Sequence, residues 1–259
     1  MLLNAVIIVL REVLEASLLA STFLAISQML QRDRKWIFFA FSLGLVMGSI
    51  YALSISSVSM MFGGAGQEIL NASMQTLIYL SLLVFAAAVP HQNKPLFRNL
   101  TIISLVFAVV LSLSREGSEV LLFITGFIGV PTLFNSVLLG GAVGAGIGLS
   151  VGVFFYYLLI HLTPRFGVWL GYVILLLISG SMMSQAVEFM MQADIFSSTA
   201  PVWDSSSLIS ERSISGQLLY ALIGYEATPT LSQVIAYIGS MTLFIVIAIT
   251  SSTLREKHL

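Results

Sequence analysis

The sequence predicts an all-α, polytopic membrane protein in which six of seven transmembrane helices form an inverted repeat of three plus three, followed by one extra helix. Hydrophobic residues make up 58% of the 259 residues and charged residues only 9%, which leaves too little polar surface for a soluble globule. Apolar windows of about 20 residues, long enough to span a bilayer, recur along the chain. A charged word of five residues also occurs twice, three spans apart.

The apolar windows predict seven spans within a single transmembrane domain that covers the whole chain. The spans lie near residues 2–29, 36–61, 68–89, 99–127, 132–161, 166–191 and 232–253. Repeat one then covers residues 1–90 and repeat two covers residues 99–191, with an outer loop at 192–231 before the last helix. The first span lacks a basic leader and runs directly into Arg11 and Glu12, so we expect it to be retained rather than cleaved.

The individual spans carry different polar and small residues. The second and fifth spans have glycines at the spacing that lets helix backbones approach closely, and we interpret them as packing sites. These glycines are Gly44 and Gly48 in the second span and Gly140, Gly144, Gly148 and Gly152 in the fifth.

The third span opens with Glu68, and the sixth ends with Gln185 and Glu188. Because acids inside membrane helices usually serve a function, we expect Glu68 and Glu188 to line a pathway, together with Gln185, the i−3 neighbour of Glu188.

Basic residues alternate between the connections and thereby predict the orientation. One set of connections contains Arg32, Arg34, Lys35, Lys94, Arg98, Arg165, Arg255 and Lys257, whereas the other set contains only Arg212. Because basic loops stay on the cytoplasmic side, we expect the N-terminus outside and the C-terminus in the cytoplasm.

The repeated word places ionisable residues in the middle of the first and fourth spans. Its two copies are Arg11-Glu12-Val13-Leu14-Glu15 and Arg115-Glu116-Gly117-Ser118-Glu119. With three spans between them, the two helices run in opposite directions, as in an inverted repeat. Each word is centred about 16 Å from the outer end of its span, so both are expected near the midplane.

Each word presents two carboxylates and one guanidinium on one helix face, because residues three and four apart are neighbours. If the faces meet, four carboxylates and two guanidinium groups give a formal charge of −2. Such a charge is unfavourable inside a membrane unless protons or a cation neutralise it. Carboxylate oxygens suit hard cations such as iron, manganese, magnesium or calcium.

Other chemistries are excluded by what the sequence lacks. It has no Cys, which removes thiolate metal sites and disulfides. It contains neither His-Glu-x-x-His nor Glu-x-x-His, which argues against an intramembrane metalloprotease and a di-iron oxidase. A basic patch for nucleic acid is also missing. We therefore expect a protein that is not an enzyme, needs no cofactor, and has a metal ion and the lipid bilayer as partners.

The two Arg-Glu-x-x-Glu words, in spans one and four of seven, resemble those of the oxidase-dependent iron permeases. The resemblance extends to Gly66-Gln67-Glu68, to Ser184-Gln185-Ala186-Val187-Glu188, and to the stretch from Leu222 to Pro229 with Gln233 and Tyr237. It implies iron uptake across a plasma membrane or bacterial inner membrane, with an extracytoplasmic oxidase or iron-delivery protein as a further partner. It also implies metal ligation by Glu12, Glu15, Glu116 and Glu119, positioned by Arg11 and Arg115. Many relatives have a further Glu where this chain has Asn71.

Two other functions remain open at this point. A transporter of another hard divalent cation such as Mn²⁺ would use the same oxygen ligands. A membrane sensor or structural protein would instead use Arg11–Glu15 and Arg115–Glu119 as internal ion pairs, although Glu12 and Glu116 would then lack a basic partner in the sequence.

Overall fold

The computed structural model of this protein describes residues 1–32, 34–211 and 213–256. Eight α-helices account for most of these residues, with two short 3₁₀ segments at Met61–Gly64 and Val89–His91. The helices are α1 (Leu2–Met29), α2 (Lys35–Ser59), α3 (Gly66–Ala88), α4 (Pro95–Thr125), α5 (Pro131–His161), α6 (Pro164–Gln192), α7 (Ile214–Ile223) and α8 (Leu231–Glu256). Arg212 and Lys257, which entered the orientation prediction, lie outside the described residues.

Six helices of the described chain, α2 to α6 and α8, are long and apolar enough to cross a membrane. The predicted all-α, multi-pass membrane fold is therefore confirmed. Helix α1 is 28 residues long, but Arg11, Glu12 and Glu15 lower its hydropathy. The predicted number of seven spans is reached when α1 is counted with the other six.

Proline sets the start of three helices. Pro95, Pro131 and Pro164 each occupy the first turn of their helix, where a missing N–H costs nothing and the fixed backbone angle favours a helix. Helices α4 and α6 therefore begin a few residues earlier than hydropathy alone predicts.

The two halves of the chain pack crosswise through the glycines. Helix α5 packs closely along α1, and α2 packs along α4. A Cβ atom at Gly48 would lie 2.9 Å from the carbonyl oxygen of Ser114, and one at Gly148 would lie 3.2 Å from that of Leu10. These glycines therefore let α5 pack closely against α1, and α2 against α4. The contacted residues, Leu10 and Ser114, each directly precede the arginine of a charged word.

The apolar core lies between α1, α3, α4 and α6, and α3 is the most buried of the candidate spans. Phe23 of α1 meets Phe85 of α3 edge to face, with ring centroids 4.9 Å apart. This aromatic contact lies toward the C-terminal end of α1, whereas the first charged word lies in the N-terminal half of the same helix.

Helix α7 lies within the predicted outer loop, residues 192–231. Ser213 caps its start by accepting a hydrogen bond from the Gly216 N–H at 3.0 Å, and Gly224 ends it in the left-handed region with φ 66°, where glycine is favoured. Helix α7 packs on α1 and α6. It therefore covers one side of the region that holds the first charged word.

Candidate metal centre

Three carboxylates from the two charged words meet where α1 passes α4. Glu12, Glu116 and Glu119 can each offer one oxygen, and these oxygens lie within 4.8 Å of one another. Glu12 and Glu116 are buried, whereas the Glu119 side chain is 30% exposed. We call this set the carboxylate trio. Among the described residues, Glu15 is the one predicted ligand that does not belong to the trio.

Arg115 holds the trio from within the bundle. Its side chain is 2% exposed, and its Nη1 lies 2.5 Å from Glu116 Oε1 while its Nη2 lies 3.3 Å from Glu119 Oε1. The same Nη1 lies 3.8 Å from Glu15 Oε2. A planar guanidinium can contact carboxylates on two sides at once, so Arg115 fixes two members of the trio relative to each other.

Arg11 occupies a more open position than its counterpart. Its Nε lies 3.4 Å from Glu15 Oε1 and 3.9 Å from Glu12 Oε1, and its side chain is 28% exposed. The guanidinium carbon lies 3.8 Å from the centroid of the Tyr220 ring on α7, a cation–π contact. The two arginines therefore differ in burial and in contacts, although the words that contain them are alike.

Two oxygens of the trio are shielded from solvent and lack a hydrogen-bond partner in the described part of the chain, namely Glu12 Oε2 and Glu116 Oε2. A buried acceptor without a partner is costly. The four motif carboxylates and two guanidinium groups carry a formal charge of −2. A cation among the three carboxylates would satisfy the unpaired oxygens and neutralise this charge.

Two glutamines extend the polar cluster away from the trio. Gln185 Nε2 lies 3.3 Å from Glu15 Oε2, and Gln75 Nε2 on α3 lies 2.5 Å from Gln185 Oε1. Gln185 was expected to line a pathway, and it lies against Glu15 instead of against the trio. Gln75 was not among the predicted site residues, although an amide in the middle of an apolar span was a signal that pointed to it.

A polar pocket of about 280 Å³ lies on the α7 side of the trio, and we call it the outer pocket. Arg11 and Tyr220 line it, together with the carboxylates of Glu188, Glu211 and Glu226. Glu188, which was expected to line a pathway, is thus one of the residues of the outer pocket.

Glu226 is a loop residue of the outer pocket, and its pKa differs clearly from that of a free carboxyl group. Burial, reinforced by the nearby Glu188 carboxylate, raises the pKa of Glu226 to about 7. Ser184 Oγ donates to its carboxylate at 3.1 Å, and Gln233 Nε2 donates to its other oxygen.

A second cavity, of about 590 Å³, begins at Glu12 and Glu116 and runs between α1, α2, α4 and α5. Its lining is mostly aliphatic and aromatic and reaches Ile37 and Tyr156, close to the connection between α1 and α2. We call it the apolar cavity. A Cβ atom at Gly117 would meet no heavy atom of the described chain within 4 Å, the backbone of its own helix aside, so the second word opens directly into this space.

Glu68 lies apart from the trio, in the first turn of α3. It is half-buried, and its Oε2 has no hydrogen-bond partner among the described residues. Asn71, one turn later, is buried and accepts a hydrogen bond from the Tyr51 hydroxyl at 2.9 Å. Asn71 therefore serves as a neutral contact between α2 and α3.

Comparison with known proteins identifies the family. No curated protein and no solved structure matches the chain. A sequence model described as the Iron permease FTR1 family matches residues 2–255, nearly the whole chain. This match confirms the resemblance inferred from the two charged words, and the chain belongs to the Iron permease FTR1 family.

Proposed function

We propose that this protein carries iron ions inward across a plasma membrane or bacterial inner membrane through the carboxylate trio between α1 and α4. The main support for this proposal is that carboxylate oxygens of Glu12, Glu116 and Glu119 lie within 4.8 Å of one another. The family is one of iron permeases, and carboxylate oxygens are suitable ligands for iron.

The charge of the cluster supports a divalent or trivalent cation. One Fe²⁺ neutralises the formal charge of −2, whereas one Fe³⁺ leaves a charge of +1. The unpaired oxygens of Glu12 and Glu116 become ligand atoms, and Glu119, which is partly exposed, supplies the third. Iron is the transported substrate, and transport needs no cofactor.

The two cavities supply a route on either side of the trio. Arg11 and Tyr220 line the outer pocket, and Glu12 and Glu116 line the apolar cavity. An ion that arrives in the outer pocket reaches the trio when Arg11 and Tyr220 move aside, and it leaves when water enters the apolar cavity. Rocking of the two crosswise helix pairs, α1 with α5 and α2 with α4, provides alternating access.

The direction of transport follows from the orientation that the basic residues predict. With the N-terminus outside and the C-terminus in the cytoplasm, the outer pocket faces the delivery side and the apolar cavity faces the cytoplasm. Helix α7 and the acidic loop around it then form the surface that an extracytoplasmic oxidase or iron-delivery protein would contact.

Uptake of radioactive iron into proteoliposomes tests the proposal. Glu12→Gln and Glu116→Gln each keep side-chain volume but remove a charge and a ligand, and we expect both to abolish uptake at normal protein abundance. Asp204→Asn, an exposed loop acid, is the matched control and should transport at the parental rate. Parental uptake by both glutamine variants would contradict the proposal. Stronger uptake of Mn²⁺ than of iron would assign the site to manganese instead.

A further inference from the structure

The two charged words place their last glutamates in different surroundings. Glu119 contacts Arg115, is partly exposed and belongs to the trio. Its counterpart Glu15 has a side chain that is only 3% exposed, and both of its oxygens are engaged. Arg11 Nε lies 3.4 Å from one oxygen, and the other lies 3.3 Å from Gln185 Nε2 and 3.8 Å from Arg115 Nη1.

Gln185 is held in a single amide orientation by its neighbours. Its Nε2 donates to Glu15 and, at 3.1 Å, to Ser181 Oγ. Its Oε1 accepts a hydrogen bond from Gln75 Nε2. Turning the amide over would bring Oε1 against a carboxylate oxygen and would bring two Nε2 donors together. Gln75 is fully buried and Gln185 is 1% exposed, so water does not compete for these contacts.

We propose that Gln185, held by Gln75, is a positioning residue that keeps the Glu15 carboxylate as the partner of Arg11 and Arg115 rather than as a metal ligand. This inference deepens the proposed function and rests on it. Glu15 in turn anchors Arg115, whose Nη1 and Nη2 hold Glu116 and Glu119. The chain Gln75–Gln185–Glu15–Arg115 thereby sets the geometry of the trio from the opposite side of the bundle.

Iron uptake kinetics of methionine variants test this chain of contacts. Gln185→Met keeps the length of the side chain and removes only the amide. Without the amide, Glu15 is free to leave Arg115, which directly contacts two carboxylates of the trio. Loss of a direct partner of a metal ligand typically changes metal affinity by 10- to 100-fold, and a misplaced Arg115 should have an effect at the lower end of this range, so we expect the KM for iron to rise about tenfold. The maximal rate should stay within about twofold of the parent. Gln75→Met acts through one more contact, so its KM should rise about threefold.

The double variant distinguishes a positioning role from a general loss of packing. If Gln75 acts only through Gln185, Gln75→Met should raise KM no further in the Gln185→Met background. Thr22→Val is the control, because it removes an equally buried hydroxyl of α1 that has no partner in the described chain. Its KM should equal that of the parent.

The possible outcomes separate this inference from the proposed function. If the parent takes up iron but Gln185→Met has an unchanged KM, the inference fails and the proposed function stands. Threefold and tenfold effects that multiply in the double variant would also overturn it. Should Gln185→Met fail to reach the membrane, Gln75→Met alone decides, and a parental KM for that variant would contradict the inference. A parent that takes up no iron would overturn the proposed function.

Discussion

Replacing Arg115 by Lys should weaken iron transport far more than replacing Arg11 by Lys. Arg115 contacts Glu116 through Nη1 and Glu119 through Nη2, and a single ammonium nitrogen in its place cannot hold both carboxylates in these positions. A hydrogen bond to a charged group is worth about 1.5–3 kcal/mol. Losing one therefore lowers the apparent iron affinity roughly 10- to 100-fold.

Arg11 provides a matched comparison on the other helix. It makes its closest carboxylate contact through Nε at 3.4 Å and is 28% exposed, and partly exposed ion pairs are worth about 0.2–1 kcal/mol. Lys at this position can also keep a cation–π contact with Tyr220. The affinity of Arg11→Lys should therefore fall by at most about fivefold.

The assay measures initial uptake of radioactive iron as a function of iron concentration in proteoliposomes. Protein abundance and thermal stability of each purified variant serve as controls for folding. We expect a large rise in KM for Arg115→Lys and a small one for Arg11→Lys. Equal effects of the two substitutions, or a parental KM for Arg115→Lys, would refute the assignment of Arg115 as the residue that holds the trio.

Two further predictions concern stability. Because the pKa of Glu226 is raised to about 7 in the folded protein, the folded state binds the proton more tightly than the unfolded state. Its contribution to stability is therefore present at low pH and is lost as the pH rises toward and through 7. Glu226→Gln should be more resistant to heat than the parent at pH 8, with a smaller difference at pH 5, and parallel melting profiles across this range would contradict the shift. Gly48→Ala should destabilise the fold by about 1–3 kcal/mol, because its Cβ would press on the Ser114 backbone. Gly146→Ala faces open space and should melt like the parent, so equal melting of the two alanine variants would argue against the close approach of α2 and α4.

The sequence contained enough information to predict the membrane fold and a matching depth for the two words. Hydropathy located the spans, and the position of the words in oppositely directed helices predicted that both lie near the midplane. The glycines at Gly48 and Gly148 were correctly interpreted as packing sites. Their partners could not be predicted, because crosswise pairing between the halves depends on the tertiary fold.

The different roles of the two words could not be predicted from the sequence. Glu15 and Glu119 occupy the same position in their words, and no local pattern distinguishes them. The difference arises from Gln185 and Gln75, which reach Glu15 from two other helices. The contact of Tyr220 with Arg11 likewise depends on how α7 folds back over α1, which helical periodicity does not specify.

Anomalous scattering at the iron edge from iron-soaked crystals shows directly whether the trio binds iron. We expect one strong peak within coordination distance of carboxylate oxygens of Glu12, Glu116 and Glu119, and no such peak in crystals of Glu116→Gln. A peak confined to the outer pocket, or no peak at the trio when the protein is saturated with iron, would contradict the claim that these three carboxylates bind the transported ion.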